Sequence, residues 1–144
     1  MKDSNEEYVD CGILLKQISD RIENHSNKQL QKINLTATQF RYLEYMSRSV
    51  DPVPFKDVEK HFQTSQPTVS GNMRRLAEKD LIVIEDGSFG RAKNARLTEK
   101  GWKLMKEAGD DRGNEERMIL SALKEEEREE FHDMLERINK NLSE

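Results

Sequence analysis

The stretch that decides the fold spans residues 54–101 and reads PFKDVEKHFQTSQPTVSGNMRRLAEKDLIVIEDGSFGRAKNARLTEKG. Apolar residues at helical spacing predict a short helix that buries Val58 and Phe62. Gln63 and Thr64 follow as a tight turn. Ser65 then suits the N-cap of a second helix, because its hydroxyl can accept a hydrogen bond from a free backbone N–H in the first turn.

A β-hairpin follows the second helix. Residues 81–84 read LIVI, a β-rich run, and residues 92–97 can pair with it across a tip that holds two glycines. Helix, turn, helix and hairpin in this order are typical of a winged helix-turn-helix, which places its second helix in the DNA major groove and a β-ribbon beside it. The sequence therefore predicts a mainly α fold with a small β-hairpin wing, and DNA binding rather than catalysis.

Composition and charge fit this prediction once they are divided by region. Only 34% of the 144 residues are hydrophobic and 36% are charged, which suggests that a partner chain completes part of the core. The net charge is −4, yet residues 53–98 hold eight basic and six acidic residues, a local charge of +2. DNA binding depends on the local field rather than on the total charge.

The ordered set of motifs resembles the MarR family of bacterial transcription regulators across nearly the whole chain. The segments that carry the resemblance are LTATQFRYL at 35–43, SQPTVS at 65–70, RLAEKDLI at 75–82, GRA at 90–92 and LTEKG at 97–101. The resemblance implies a homodimer built from long N- and C-terminal helices, with two winged lobes that read a pseudo-palindrome in double-stranded DNA. We expect one continuous fold, with a dimerisation helix at 1–34, the DNA-binding lobe at 35–98 and further dimerisation helices at 99–144.

Four positions depart from the family pattern, and one of them is Asn72, which sits where an apolar residue is common. Phe89 stands where the wing commonly has an aspartate before the basic residue. Gly71 stands where an exposed arginine is frequent, so it either allows a close approach to DNA or weakens binding. Asp80 replaces the glycine that often ends the recognition helix.

The predicted DNA contacts lie on the second helix and on the wing. Short polar side chains near a helix N-terminus can read base edges, and arginines can clamp phosphates or reach guanine. The alternatives are a simple helix cap for Ser65 and solvated or Glu78-paired surface charges for the arginines. The predicted set is Ser65, Gln66, Thr68, Ser70, Arg74, Arg75, Arg91 and Lys93, with Arg91 as the best wing candidate because a narrow minor groove attracts arginine.

The terminal helices supply the predicted dimer interface, and their junction with the winged lobe supplies a predicted effector pocket. The dimer residues are Leu14, Ile18, Phe131, Leu135, Ile138 and Leu142. The resemblance implies a repressor that a small aromatic or phenolic effector releases from DNA. Candidate pocket residues are Ile13, Gln17, Phe40, Tyr42, Met46 and Trp102, and the alternative for each is a core position.

Other classes of function lack a signature. No phosphate loop, nucleophile elbow, HxxxH or CxxC spacing is present, so we expect no enzyme, cofactor or metal. No apolar run could span a bilayer, and a single cysteine fits a reducing cytoplasm. Two alternatives remain open, namely a winged-helix protein-interaction module and a redox-sensing regulator that uses Cys11.

Overall fold

The computed structural model describes residues 8–87, 92–108 and 114–143, without the side chain of Asn114. Within these residues the chain forms seven α-helices, a short 3-10 helix and three strands. They are α1 (Cys11–Leu30), the 3-10 helix (Gln31–Ile33), α2 (Ala37–Met46), β1 (Val53–Pro54), α3 (Phe55–Phe62), α4 (Gln66–Glu78), β2 (Ile82–Asp86), β3 (Lys93–Leu97), α5 (Glu99–Glu107), α6 (Asn114–Leu120) and α7 (Glu125–Leu142). The chain divides into two compact units, Met1–Gly109 and Asp110–Glu144.

Side-chain caps fix where the helices of the first unit begin. Thr36 and Gln39 form a reciprocal capping box at the start of α2, since each side chain accepts a hydrogen bond from the other's backbone N–H. The Thr98 hydroxyl accepts from the backbone N–H of Gly101 at 3.0 Å and starts α5. The sequence offers Thr36 or Thr38 as the N-cap of α2, and the structure shows Thr36; the N-caps that the sequence predicts at Ser65 and Thr98 are confirmed.

Three helical segments of this unit end in left-handed residues that are not glycine: Asn34 (φ 57°), Gln63 (φ 49°) and Asp80 (φ 63°). At Asp80 the next residue, Leu81, donates its N–H to the carbonyl of Leu76 at 3.1 Å, and Asp80 donates to Ala77 at 2.9 Å. These two bonds form a Schellman ending. Asp80 therefore takes the backbone conformation for which glycine is more usual.

The three strands form one antiparallel sheet in the order β1-β3-β2. Val53 pairs with Ala95, and Ile84 pairs with Ala95 from the other side, so β3 is the central strand. Beyond β2 the backbone N–H of Gly87 donates to the carbonyl of Ala92 and closes the base of the wing. The predicted hairpin is confirmed.

One hydrophobic core lies between α2, α3, α4 and the sheet. Its largest fully buried side chains are Tyr42, Leu43, Met46, Met73, Leu76, Val58 and Val69. Phe62 packs against this cluster and is partly buried, with its ring centroid 5.1 Å from that of Tyr42. This packing holds the helix-turn-helix rigidly on the lobe.

The second unit contains α6 and α7. Glu127 closes the first turn of α7 by accepting a hydrogen bond from the backbone N–H of Lys124 at 2.8 Å. Gly109 and Gly113 predict a kink or break in the helix that Thr98 caps, but both glycines lie outside the described residues. In the described part of the chain, no helix combines the length and the apolarity needed to cross a bilayer.

Gly101→Ala should destabilise the protein. A methyl group at this position would overlap the carbonyl oxygen of Leu81 and lie 2.9 Å from Leu97 Cδ2. Overpacking of this kind costs about 2 kcal/mol of unfolding free energy, measurable by urea denaturation. The control is Gly12→Ala in α1, where the nearest atom, Asp10 Oδ1, would be 3.4 Å away. An unchanged unfolding midpoint for Gly101→Ala would contradict this assignment.

Candidate nucleic-acid interface

Burial of one face of α4 determines which of its side chains point outwards. Val69, Met73 and Leu76 are all 0% exposed, at the spacing of one helical stripe. Ser65 begins the helix: its hydroxyl accepts from the backbone N–H of Thr68 at 3.4 Å and donates to Thr68 Oγ1 at 2.9 Å. The side of the helix opposite the buried stripe is therefore available to a partner.

The first turn of α4 collects the predicted polar base readers. Ser65, Gln66 and Thr68 are exposed, and Ser70 is half-buried. The Gln66 amide donates to the Ser70 hydroxyl at 2.9 Å, and Ser65 bonds to Thr68 as described above. These groups satisfy one another in the free protein, so base contacts would exchange internal hydrogen bonds for intermolecular ones.

Arg74 and Arg75 are exposed one turn further along α4. Neither forms an ion pair with a carboxylate within the described part of the chain, so the alternative of pairing with Glu78 is not observed there. Their guanidinium groups lie close to Gly71, where a Cβ atom would be 3.7 Å from Arg75 Nη1 and 3.9 Å from Arg74 Nη2. The two positive charges are thus free to meet phosphates or guanine.

The hydroxyl of Tyr42 lies buried beneath α4. Burial raises the pKa of Tyr42 above its ordinary value, and the neighbouring Asn72 side chain acts more weakly in the opposite direction. The Asn72 amide donates to the carbonyl of Thr68 at 3.1 Å, and among the described residues Tyr42 Oη has no hydrogen-bond partner of acceptable geometry. The phenol is therefore neutral at physiological pH.

The wing contributes exposed Lys93 at the start of β3. Arg96 also points outwards, but its Nε lies 2.7 Å from Glu85 Oε1 on the adjacent strand, so its charge is already paired. Arg91, the strongest wing candidate, and Phe89 lie outside the described residues. Of the two predicted wing contacts, Lys93 is the one that lies within the described residues.

Lys79 was not among the predicted site residues, yet it anchors the end of α4. Its ammonium donates to the carbonyl of Asn34 at 2.5 Å and to Gln39 Oε1 at 2.9 Å, and Lys100 donates to the carbonyl of Lys79 at 3.0 Å. These contacts tie the recognition helix to α2 and to α5. The motif at 75–82 contains this lysine, but its acceptors are 40 and 45 residues away and leave no local signal.

The six predicted effector residues lie in two different environments of the described protomer. Tyr42 and Met46 are buried in the core and Phe40 packs against it, whereas Ile13, Gln17 and Trp102 are exposed. A cavity of about 370 Å³ is present elsewhere in the first unit and includes none of the six. Its walls include Ile33, Lys79, Lys100, Lys103, Leu104 and Glu107.

Both predicted dimer helices expose apolar side chains. On α1, Leu14 is 42% and Ile18 is 47% exposed, and Ile13 and Leu15 are also exposed. On α7, Ile138 is 46% and Leu142 is 75% exposed, while Phe131 and Leu135 are half-buried. Each helix thus has a row of apolar residues that its own unit does not cover.

Cys11, His61 and His132 lie on three different helices, α1, α3 and α7. Cys11 is exposed at the first residue of α1. His61 stacks on Tyr45 with ring centroids 4.3 Å apart, and His132 Nδ1 lies 2.9 Å from Glu136 Oε1 on the surface of α7. Asp133 lies beside this pair, and all three are exposed, an arrangement common on charged helices.

Comparison with known proteins supports this fold. The MarR family model matches residues 33–92, which contain α2, α3, α4 and β2. The HTH-type transcriptional regulator MhqR of Bacillus subtilis is 28% identical over 130 residues, which cover 90% of this chain and 89% of that protein. The crystal structure of the S. aureus MepR–DNA complex is also 28% identical, with a TM-score of 0.88 over 94% of this chain and 100% of that chain.

The match to the MarR family model thus covers most of the winged helix-turn-helix predicted from residues 54–101. The curated relatives that match most of the chain are HTH-type transcriptional regulators. MarR-family relatives of this chain are transcription regulators and not enzymes, which supports a non-enzymatic role through the family. A second MepR structure, described as the DNA-binding conformation, matches with a TM-score of 0.81 at 28% identity over 94% of this chain and 100% of that chain.

Proposed function

We propose that this protein is a MarR-family repressor that acts as a homodimer on a pseudo-palindromic operator. The observation that carries the proposal is the outer face of α4, where polar side chains in the first turn are followed by two arginines without carboxylate partners in the described residues. Polar groups near the helix N-terminus match the hydrogen-bonding pattern of base edges, and arginines match phosphate or guanine. Lys93 and Arg91 would add contacts from the wing.

Two-fold symmetry sets the geometry of the proposed operator. Two recognition helices that enter successive major grooves on one side of B-DNA require half-site centres about 34–36 Å apart. The exposed apolar rows on α1 and on α7 supply surfaces that a second copy would cover, and burial of such surface favours association. The homodimer is thus part of the proposal.

A dimeric repressor needs one surface that binds DNA and one that forms the dimer. The proposal assigns α4 and the wing to DNA, and the apolar rows of α1 and α7 to the dimer. Occupying an operator is enough to exclude polymerase from an overlapping promoter. A regulator of chromosomal double-stranded DNA would act in the cytoplasm.

Release by a small aromatic or phenolic effector is the remaining part of the proposal. A ligand can shift the protein away from DNA only if it binds the DNA-incompatible arrangement more tightly. The cavity beside Lys79 is a candidate place, because Lys79 also anchors the end of α4. The predicted residues on α1, α2 and α5 remain a second candidate.

Arg75→Ala should weaken operator binding by about tenfold and reduce the dependence of log K on log salt by about one, because one phosphate or guanine contact is lost. Fluorescence anisotropy across a salt series measures both quantities. Lys106→Ala is the charge-matched control, since Lys106 is exposed in the last turn of α5. Equal affinities for wild type and Arg75→Ala would argue against the docking of this face on DNA.

Ile138→Asp should convert the dimer to a monomer, because a carboxylate would be buried without a partner in the apolar interface. Light scattering coupled to gel filtration should give the mass of one chain for this variant and of two chains for wild type. Lys140→Asp introduces the same side chain on the opposite side of α7 and should remain dimeric. If Ile138→Asp stays dimeric, the interface lies elsewhere.

A further inference from the structure

Gly71 lies in the middle of the recognition helix, at the sixth of the 13 residues of α4. Glycine is the least favourable helix-interior residue after proline, because it has the most backbone freedom to lose. Three features could favour glycine at this position: tight packing, a backbone conformation that other residues rarely adopt, or close contact with a partner.

Packing within the protein does not require this glycine. A Cβ atom at Gly71 would meet nothing nearer than Arg75 Nη1 at 3.7 Å, and that atom ends a flexible, exposed side chain. Gly101 is the opposite case, because a Cβ atom there would overlap the backbone of Leu81. Gly71 also has ordinary helical geometry, since its φ is outside the left-handed region.

The position of Gly71 points to the partner. It is two residues beyond the buried Val69, so it lies about 200° around the helix from that residue. Thr68 precedes it by three residues, and Arg74 and Arg75 follow it by three and four, so all lie on one outward face. Gly71 adds no side chain to this face, and the guanidinium groups of Arg75 and Arg74 lie 3.7 Å and 3.9 Å from where its Cβ atom would be.

We propose that Gly71 is a specificity-determining residue that lets α4 approach the floor of the major groove more closely than any side chain would allow. The close approach would bring Gln66 and Thr68 within hydrogen-bonding distance of base edges. The flanking arginines would meanwhile hold phosphates or guanine. This inference rests on the proposed function, since it concerns the same face of α4.

If Gly71 had only a structural role, its replacement would lower both stability and operator affinity. The proposal instead predicts higher stability together with weaker operator binding. Gly71→Ala adds one methyl group on the outward face, so it should stabilise the helix and raise the melting temperature. The same methyl group should hold the helix away from the bases and raise the Kd for a selected operator about tenfold. Binding to a scrambled duplex depends on phosphates and should keep its affinity and its salt dependence.

The test compares wild type, Gly71→Ala, Gly71→Leu and Gly12→Ala by anisotropy on operator and scrambled duplexes, together with thermal unfolding. Gly71→Leu should weaken operator binding further, because its side chain is larger. Gly12→Ala is the glycine-matched control on α1, where the added methyl group would make only an ordinary contact with Asp10 Oδ1 at 3.4 Å, and it should bind the operator as wild type does.

A stabilised Gly71→Ala that discriminates operator from scrambled DNA less well supports the proposal. Unchanged operator affinity, or equal losses on both duplexes, would overturn it while leaving DNA recognition by α4 intact. Wild type that binds operator and scrambled DNA equally would overturn the proposed function itself, and this inference with it.

Discussion

Burial of Val69, Met73 and Leu76 on one stripe of α4 is the constraint on which the rest of the site depends. With these three side chains fixed in the core, the helix cannot rotate without exposing apolar surface to water. The outward direction of Thr68, Gly71, Arg74 and Arg75 follows from helical geometry alone. The direction in which the recognition surface faces is therefore set by the hydrophobic packing beneath it.

Backbone and lysine contacts fix the ends of the same helix. The Ser65 cap defines its start, and the left-handed ending at Asp80 turns the chain directly into β2 and the wing. Lys79 connects this ending to Asn34 and Gln39 at the beginning of α2. A ligand in the cavity beside Lys79 would contact the lysine that holds the end of α4 against Asn34 and Gln39. Through this contact the proposed effector could shift the recognition helix.

Local signals made much of this architecture predictable. The N-caps Thr36, Ser65 and Thr98, the buried stripe of α4 and the hairpin all follow from residues within a few positions of one another. The ending at Asp80 was not predicted as a left-handed turn, because glycine is the usual marker of that conformation. The role of Lys79 was missed because its acceptors are distant in sequence. The cavity beside Lys79 is lined by three segments that are far apart in the sequence, so no local sequence pattern predicts it.

Sequence-specific recognition by a two-fold dimer is the central claim, and selection of bound duplexes from a random DNA pool tests it most directly. The purified wild-type protein, at moderate salt, should enrich an inverted repeat whose half-site centres are about one helical turn apart. Such a motif would also supply the operator for measuring each variant. Recovery of no common motif by a folded, dimeric protein would contradict the account.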